Sequence, residues 1–286
     1  MRVSFLIVEW KGGNVLKECV ASICNTARDA LLTDYEIVVV NNNDFPLERA
    51  DSISNPNVRI INIGRNAGFA GGTNISVREA RFENIFLLNN DIILDKKCLS
   101  KLITGILSWN VGAVVPRLLD VDGKQQLSIR KLPTLGDILL ESVFLTRLRP
   151  RYGGWILREF DYEKDQVVEQ PMFSAIFMPK ETWNTVGDLD PSFPILFNDV
   201  DWFYRFNNSG LLCAYIANAK AFHYHGMSVN RSIRKKIWNS TLGLYFYFHK
   251  NGSEKLLDRI LLTVTCSVTF WGRLALDYGK RLLQRS

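Results

Sequence analysis

Four short apolar runs constrain the fold of this chain more than any other feature. They are residues 3–8 (VSFLIV), 36–40 (EIVVV), 58–63 (VRIINI) and 85–88 (IFLL). A strand that is apolar at successive positions, rather than at alternate ones, is buried on both faces. Between the first two runs, Val15, Leu16, Cys19, Val20 and Ile23 recur at helical spacing across residues 14–32. A second helix is predicted around residues 72–82, after a Gly-rich turn. Strand–helix alternation at this spacing predicts a mostly parallel central sheet with helices on both faces. In such sheets ligands bind beyond the carboxyl ends of the strands. Two of the runs end there in polar clusters, Asn41-Asn42-Asn43-Asp44 and Asn89-Asn90-Asp91.

Further along, a helix and then a buried strand at 111–115, closed by Pro116, are predicted within residues 96–116. Residues 117–168 carry turn signals (Asp122-Gly123, Pro133, Gly153-Gly154) and a basic cluster, Arg147, Arg149 and Arg151, and read as an excursion over the sheet. Residues 169–178 return to strand. A helix over 197–208 opens with Asp199 and Asp201, and a short strand over 211–217 precedes His223 and His225. The 286 residues suit one large α/β domain, alone or with an appendage.

Charge supplies the appendage. Residues 1–230 hold 24 Lys/Arg against 26 Asp/Glu, whereas residues 231–286 hold 11 against 3, a net of +8. The tail's uncharged stretches, 237–248 and 260–272, are 12 and 13 residues long. Both fall short of the roughly 20 apolar residues of a spanning helix. Glu9 and Lys11 interrupt the apolar start, so no signal peptide is expected. The five Cys form no C-x-x-C pair, which argues against a zinc ribbon or disulfide framework and fits a reducing cytoplasm.

Four constellations carry chemistry. NIGRNAGFAGGTN (62–74) follows a strand and opens a helix, where backbone N–H groups bind anions. It is neither a Walker A loop nor a G-x-G-x-x-G fingerprint, and its glycines also suit close helix–sheet packing. Asn89-Asn90-Asp91 offers a carboxylate to Mg²⁺ or Mn²⁺, or alternatively an Asx turn or helix cap. Asp199 and Asp201 stand two residues apart and so do not share a helix face. One can face a cleft while the other caps or pairs. His223 and His225 are imidazoles of the kind that ligate Mn-type metals, or hydrogen-bonded structural residues.

In this order the four resemble the inverting family 2 glycosyltransferases of the GT-A fold, most closely the rhamnosyltransferase-like branch. Over residues 3–228, Asn66, Gly68, Phe69, Ala70, Gly72 and Asn74 match its N-x-G-F-A-x-G-x-N signature. Leu88-Asn89-Asn90-Asp91 resembles its L-N-x-D form of the metal-binding motif. GDLD (187–190), then Asn198-Asp199-Val200-Asp201 and Arg205, resemble G-G-F-D and E-D-x-D-x-x-x-R, and His223, five before Ser228, resembles H-x-x-x-x-S. The resemblance implies a GT-A catalytic domain over 1–228 and a basic, amphipathic helical extension over 229–286. It implies that Asp91 binds a Mg²⁺ or Mn²⁺ bridging the donor diphosphate, with His223 as a further metal or phosphate ligand. Asp199 is the implied general base. Asn41, Asn66, Gly68, Asn74 and Asn89 are the implied nucleotide-sugar contacts, Asn41 facing the base.

The implied reaction moves a sugar, rhamnose above others, from a nucleoside diphosphate to a hydroxyl of a cell-surface polysaccharide or lipid-linked glycan. The donor is dTDP-rhamnose, with a UDP-sugar as the alternative. Three positions depart from the family: Glu9-Trp10-Lys11 ends the first strand, Asn41 replaces an Asp, and Asn198 replaces the acidic residue before the base. They motivate the competing reading, a catalytically silent nucleotide-sugar-binding or scaffold protein. The acidic body and the lack of a recognition motif exclude nucleic acid as partner.

In the tail, Leu257, Ile260, Leu261, Val264, Val268, Trp271 and Ala275 share one helical face, flanked by Arg259 and Arg273. That face either packs on the catalytic domain or lies on an anionic membrane. The expected location is cytoplasmic, with peripheral contact at the inner face of the cell membrane.

Overall fold

The computed structural model describes residues 1–11, 13–47, 55–142, 154–193, 196–224, 233–252 and 256–283. The cluster Arg147, Arg149 and Arg151 lies outside the described residues, as do His225 and Ser228. The strands are β1 (Arg2–Glu9), β2 (Asp34–Asn41), β3 (Val58–Asn62), β4 (Asn84–Asn89), β5 (Ile92–Leu94), β6 (Ala113–Leu119), β7 (Ile129–Arg130), β8 (Gln166–Val168), β9 (Gln170–Pro171), β10 (Ala175–Pro179) and β11 (Cys213–His223). The helices are α1 (Val15–Asp29), α2 (Gly68–Glu79), α3 (Cys98–Trp109), α4 (Leu135–Ser142), α5 (Lys180–Val186), α6 (Asn198–Asn208), α7 (Ile233–Asn251) and α8 (Leu256–Leu283).

Each apolar run is a strand, and the four pair in parallel in the order β3-β2-β1-β4. Glu9 of β1 stands level with Asn41 of β2, and Val8 with Asn89 of β4, so the polar clusters finish at one sheet edge. Beyond β4 the sheet continues through antiparallel β10 to β6, then to β11, which runs parallel to β6. β5 and β8 both pair antiparallel with β11. A two-stranded ribbon, β7 with β9, lies apart from the main sheet.

Both sheet faces are covered, as the apolar runs require. On one face Leu16, Cys19 and Ile23 of α1 and Leu99 and Leu102 of α3 meet Val3, Phe5 and Ile7 of β1. On the other, Ala70 and Val77 of α2, Trp183 of α5 and Trp202, Phe203 and Phe206 of α6 meet Leu6, Val38 and Ile85. Fully burying one such Phe or Leu stabilises the fold by about 1.5–3 kcal/mol. A third cluster joins Ile138, Phe193, Phe197 and Val200 to Leu244 and Tyr247 of α7 and Leu262 and Cys266 of α8. The basic extension therefore shares a core with the rest of the chain.

Three elements differ from the sequence expectation. α2 begins at Gly68, within the expected turn. Its glycines serve packing: a Cβ on Gly72 would stand 2.7 Å from Val8 Cγ1, so only glycine lets α2 lie this close to β1. Pro116 lies inside β6 rather than closing it, opposite Ile216, where the pairing of β11 shifts register. Proline is tolerated at such an irregularity. β11 runs on to His223 and so delivers that side chain to the edge where β5 begins.

Candidate active site

Asp91 immediately precedes β5, and β5 pairs with the end of β11 with His223 opposite Ile92. The Tyr224 N–H donates to the Asp91 carbonyl at 3.0 Å. This ladder leaves Asp91 Oδ1 3.3 Å from His223 Nε2, with both residues buried. Gln126 sets the ring. Its Nε2 donates to the His223 carbonyl at 3.1 Å, which turns its Oε1 to His223 Nδ1 at 3.0 Å. With Nδ1 donating to that oxygen, a neutral ring presents its Nε2 lone pair to a carboxylate oxygen. Asp91 and His223 would hold a divalent cation there, and a mixed N/O donor pair favours Mn²⁺ over Mg²⁺, which prefers oxygen ligands.

Among the described residues no group of three or more His, Cys, Asp or Glu converges as a metal shell. Two protein ligands fit a cation whose remaining positions are filled by water and substrate phosphate.

Asp199 occupies the first turn of α6. The turn starts from Phe197 at φ 76°, a left-handed conformation that is costly for a bulky residue. Packing on both sides holds it: Trp155 lies 5.6 Å away, ring to ring, and α7 approaches closely enough that a Cβ on Gly243 would stand 2.6 Å from the Leu196 carbonyl oxygen. The half-buried Asp199 carboxylate accepts from the Val200 N–H at 3.0 Å and from Gln170 Nε2 at 3.4 Å. Desolvation raises its pKa above the usual carboxylate value. The charge of Arg130 and the N–H groups of Val200 and Phe173 oppose this without cancelling it. Arg130 is itself held with its guanidinium 4.8 Å from the Trp155 ring centroid.

The two corners are linked through one short segment of chain. Residues 126–130 carry Gln126 to His223 and Arg130 to the neighbourhood of Asp199, and four residues of chain span at most about 14 Å. On the other side the Asn89 N–H donates to the Ser174 carbonyl at 2.9 Å, next to the Phe173 N–H that reaches Asp199. Asn89 is half-buried at the end of β4. Such an arrangement can deprotonate a hydroxyl beside a cation-bound diphosphate.

Two residues expected to contact the nucleotide sugar are engaged elsewhere. Asn41 is fully buried; its Nδ2 donates to the Phe45 carbonyl and Asn62 Oδ1, each at 2.7 Å, and its Oδ1 accepts from Asn43. Both amide protons are thus taken, one inside the 41–47 loop and one by the end of β3. Asn74 grips the backbone of Leu189 through both ends of its amide, at 2.8 and 3.0 Å. It braces the 187–190 turn rather than facing a donor. Asn66 and Gly68 are tied to the β2 end: Asn66 Oδ1 accepts from Asn42 Nδ2 at 3.1 Å and from the Gly68 N–H at 2.9 Å. Gly68 has φ +73° and open space where a Cβ would point. Sequence reading missed Gln126, Gln170, Arg130 and Trp155, which lie in or next to the stretch without periodicity.

A family model described as Glycosyl transferase family 2 matches residues 4–165, more than half of the chain. The low-salt glycan biosynthesis hexosyltransferase Agl10 of Haloferax volcanii is 22% identical over 98% of this chain and 86% of its own length. An N-acetylglucosaminyl-diphospho-decaprenol L-rhamnosyltransferase of Mycobacterium tuberculosis is 23% identical, covering 62% of each protein. The dTDP-rhamnosyl transferase RfbF of Shigella flexneri is 26% identical over 69% of this chain and 64% of its own length. Among solved structures, GalNAc-T7 with UDP, GalNAc and Mn²⁺ superposes with TM-score 0.59 at 17% identity, over 92% of this chain and 55% of that one. S. aureus TarS 1–349 does so with TM-score 0.54 at 12% identity, over 96% and 71%. Both neighbours have the GT-A fold, and so does this chain.

Proposed function

The chain belongs to glycosyl transferase family 2, and from that premise we propose that it is an inverting, divalent-metal-dependent rhamnosyltransferase using dTDP-rhamnose. The acceptor is a hydroxyl of a lipid-linked or cell-surface glycan, met at a membrane the protein touches peripherally. The observation that carries the reading is the desolvated carboxylate of Asp199, joined through residues 126–130 to the Asp91–His223 pair.

Asp199 takes the proton of the acceptor hydroxyl as it attacks the anomeric carbon. Desolvation makes that carboxylate a stronger base, and a positioned base contributes about 10²–10⁴-fold. Gln170 and the Phe173 and Val200 N–H groups aim it. Asp91 and His223 would hold the cation, and Gln126 fixes the ring through His223 Nδ1. A Mg²⁺ or Mn²⁺ bound there supplies Lewis-acid neutralisation of the departing diphosphate, worth several kcal/mol. Asn89, Asn66 and Gly68 border the donor.

Rhamnose is supported by the names of two relatives, a dTDP donor by that of RfbF, and a lipid-linked acceptor by that of the mycobacterial one. A UDP-sugar is the alternative donor, supported by the UDP-bound structures. No described helix is long and apolar enough to cross a membrane. Contact at the membrane surface is supported by the +8 tail.

Nucleoside diphosphate release from dTDP-rhamnose, with and without Mn²⁺ and a lipid-linked acceptor, tests the reading. Wild type is expected to turn over only with metal and acceptor, and Asp91→Ala to lose both donor binding and metal dependence. A metal-independent wild type sinks the Asp91–His223 assignment. A protein that binds the donor yet transfers to no acceptor is the silent scaffold.

A further inference from the structure

α8 packs on the body through Leu262, Thr265 and Cys266, all buried. The face whose apolar spacing is most regular points the other way. Leu257, Ile260, Val264, Val268, Trp271 and Tyr278 are all exposed, Leu257 by 74% and Trp271 by 65%. At 100° per residue they fall within about 100° of arc and run for about 32 Å along the helix. Soluble proteins seldom leave so continuous an apolar surface without a partner.

One end of the stripe has a particular chemistry. Trp238 of α7, 56% exposed, lies 5.6 Å from Phe270 of α8, and Phe270 lies 5.3 Å from Trp271. Arg234 and Lys235, both exposed, precede Trp238 by one helical turn and so stand beside it. Indole rings next to basic side chains are the combination that settles at the boundary between acyl chains and headgroups.

Charge selects the occupant. Residues 231–286 carry a net of +8, so two copies joined through this stripe would bring two strongly positive segments together. An anionic bilayer complements the same charge, at about 1 kcal/mol per nearby Lys or Arg.

We propose that α8 seats this stripe in the headgroup region of an anionic bilayer, with Arg234, Lys235 and Trp238 beside it. The proposal rests on the lipid-linked acceptor reading above and gives it a geometry. Phe197, which launches the turn of Asp199, and Thr269 of α8 line one small cavity with Leu244 and Trp155. The turn that carries Asp199 therefore lies close behind the docking helix.

The test uses the full chain, because removing the tail would also take Leu244 and Tyr247 from the core beneath Asp199. Wild type, Val264→Glu, Trp271→Glu and Arg234→Glu/Lys235→Glu are sedimented with phosphatidylcholine vesicles, with and without phosphatidylglycerol. Thermal unfolding is recorded alongside, and exposed positions should leave it unchanged. Wild type is expected to bind only the anionic vesicles. Each stripe substitution should weaken binding about tenfold or more. The basic-pair variant should weaken it at low salt and match wild type at high salt.

Stripe variants that bind like wild type overturn the face assignment while leaving the lipid-linked acceptor standing. Wild type that binds no vesicle, yet transfers rhamnose to a water-soluble acceptor, removes the membrane reading as a whole. A wild-type dimer in sedimentation equilibrium that Val264→Glu dissolves shows a second copy on the stripe and overturns the proposal.

Discussion

Two carboxylates share the first turn of α6, and their surroundings differ on every count. Asp201 is wholly buried, yet Arg205 Nε, Lys250 Nζ and Asn251 Nδ2 all reach its oxygens, at 3.1, 3.1 and 3.0 Å. Arg205 also holds the carbonyls of Val186 and Asp188, and Lys250 pairs with Asp190 at 2.7 Å. Asp199 is less buried, but no Lys or Arg forms an ion pair with it among the described residues. It is left desolvated, with Arg130 acting on it only through its charge. A buried charge that is paired serves structure, and one that is left desolvated and basic can serve chemistry. The residue types are identical, so the distinction rests on what packs around them.

The largest expected effect separates the two. Asp199→Asn should lower transfer by about 10²–10⁴-fold while leaving donor binding intact. Nucleoside diphosphate release and a donor-induced thermal shift measure the two halves. The same substitution should stabilise the fold at neutral pH. The pKa of Asp199 is raised in the native state, so that state holds its proton to higher pH than the unfolded chain. Stability therefore falls as pH climbs from the unfolded pKa through the native one, and Asn removes the loss. Full turnover by Asp199→Asn would erase the contrast with Asp201.

Asp201→Ala should reverse the pattern. It strands Arg205 and Lys250, and stability should fall by about 3 kcal/mol, the low end for breaking a buried pair because Lys250 is part-exposed. Urea unfolding measures this. Lys250 also holds Asp190, whose own burial would raise its pKa. The hydrogen bonds from Lys250 and Ser192 outweigh that and lower it to about 2. Its contribution is present above the unfolded carboxylate pKa and is lost as pH falls towards 2. Acid unfolding should therefore begin at higher pH in Lys250→Met than in wild type.

Gly243→Ala tests whether the extension serves the base. The added methyl would stand 2.6 Å from the Leu196 carbonyl oxygen and 3.0 Å from the Phe197 side chain. Overpacking of this kind costs about 1–3 kcal/mol. The strain falls on the turn that carries Asp199, so kcat should drop while the KM for donor holds. A proportionate rise in KM would point instead to general loosening.

The sheet was legible because a strand buried on both faces must be apolar throughout, and residues 3–8 and 36–40 allow little else. The Asp91–His223 corner was legible as motif, and the ladder between β5 and β11 brings those two together. The partners of Asn41 and Asn74 were not legible, because a signature reports that an amide is needed, not which groups it bonds. The tail was misleading for a physical reason. Its most periodic face is the exposed one, while the packed face is made of Leu262, Thr265 and Cys266, which no hydropathy pattern singles out. Gln126 and Arg130 gave no signal, because they act through two side-chain hydrogen bonds and a charge within a segment that has no periodicity.

The smallest effect is also the sharpest test of how Asp199 is tuned. Burial raises its pKa and Arg130 lowers it, so the working value is a balance of opposed terms. Removing the positive charge in Arg130→Gln leaves desolvation less opposed, and the pKa must rise. A base works only when deprotonated, so the acid limb of the kcat profile should move to higher pH. At a pH well above that limb, the rate should be close to that of wild type. Trp155→Leu removes the ring beneath the guanidinium and should move the limb in the same direction by less, since Arg130 keeps its charge and loses only its seat. If Arg130→Gln lowers the rate equally at every pH, the guanidinium acts on the substrate directly and the limb belongs to another group.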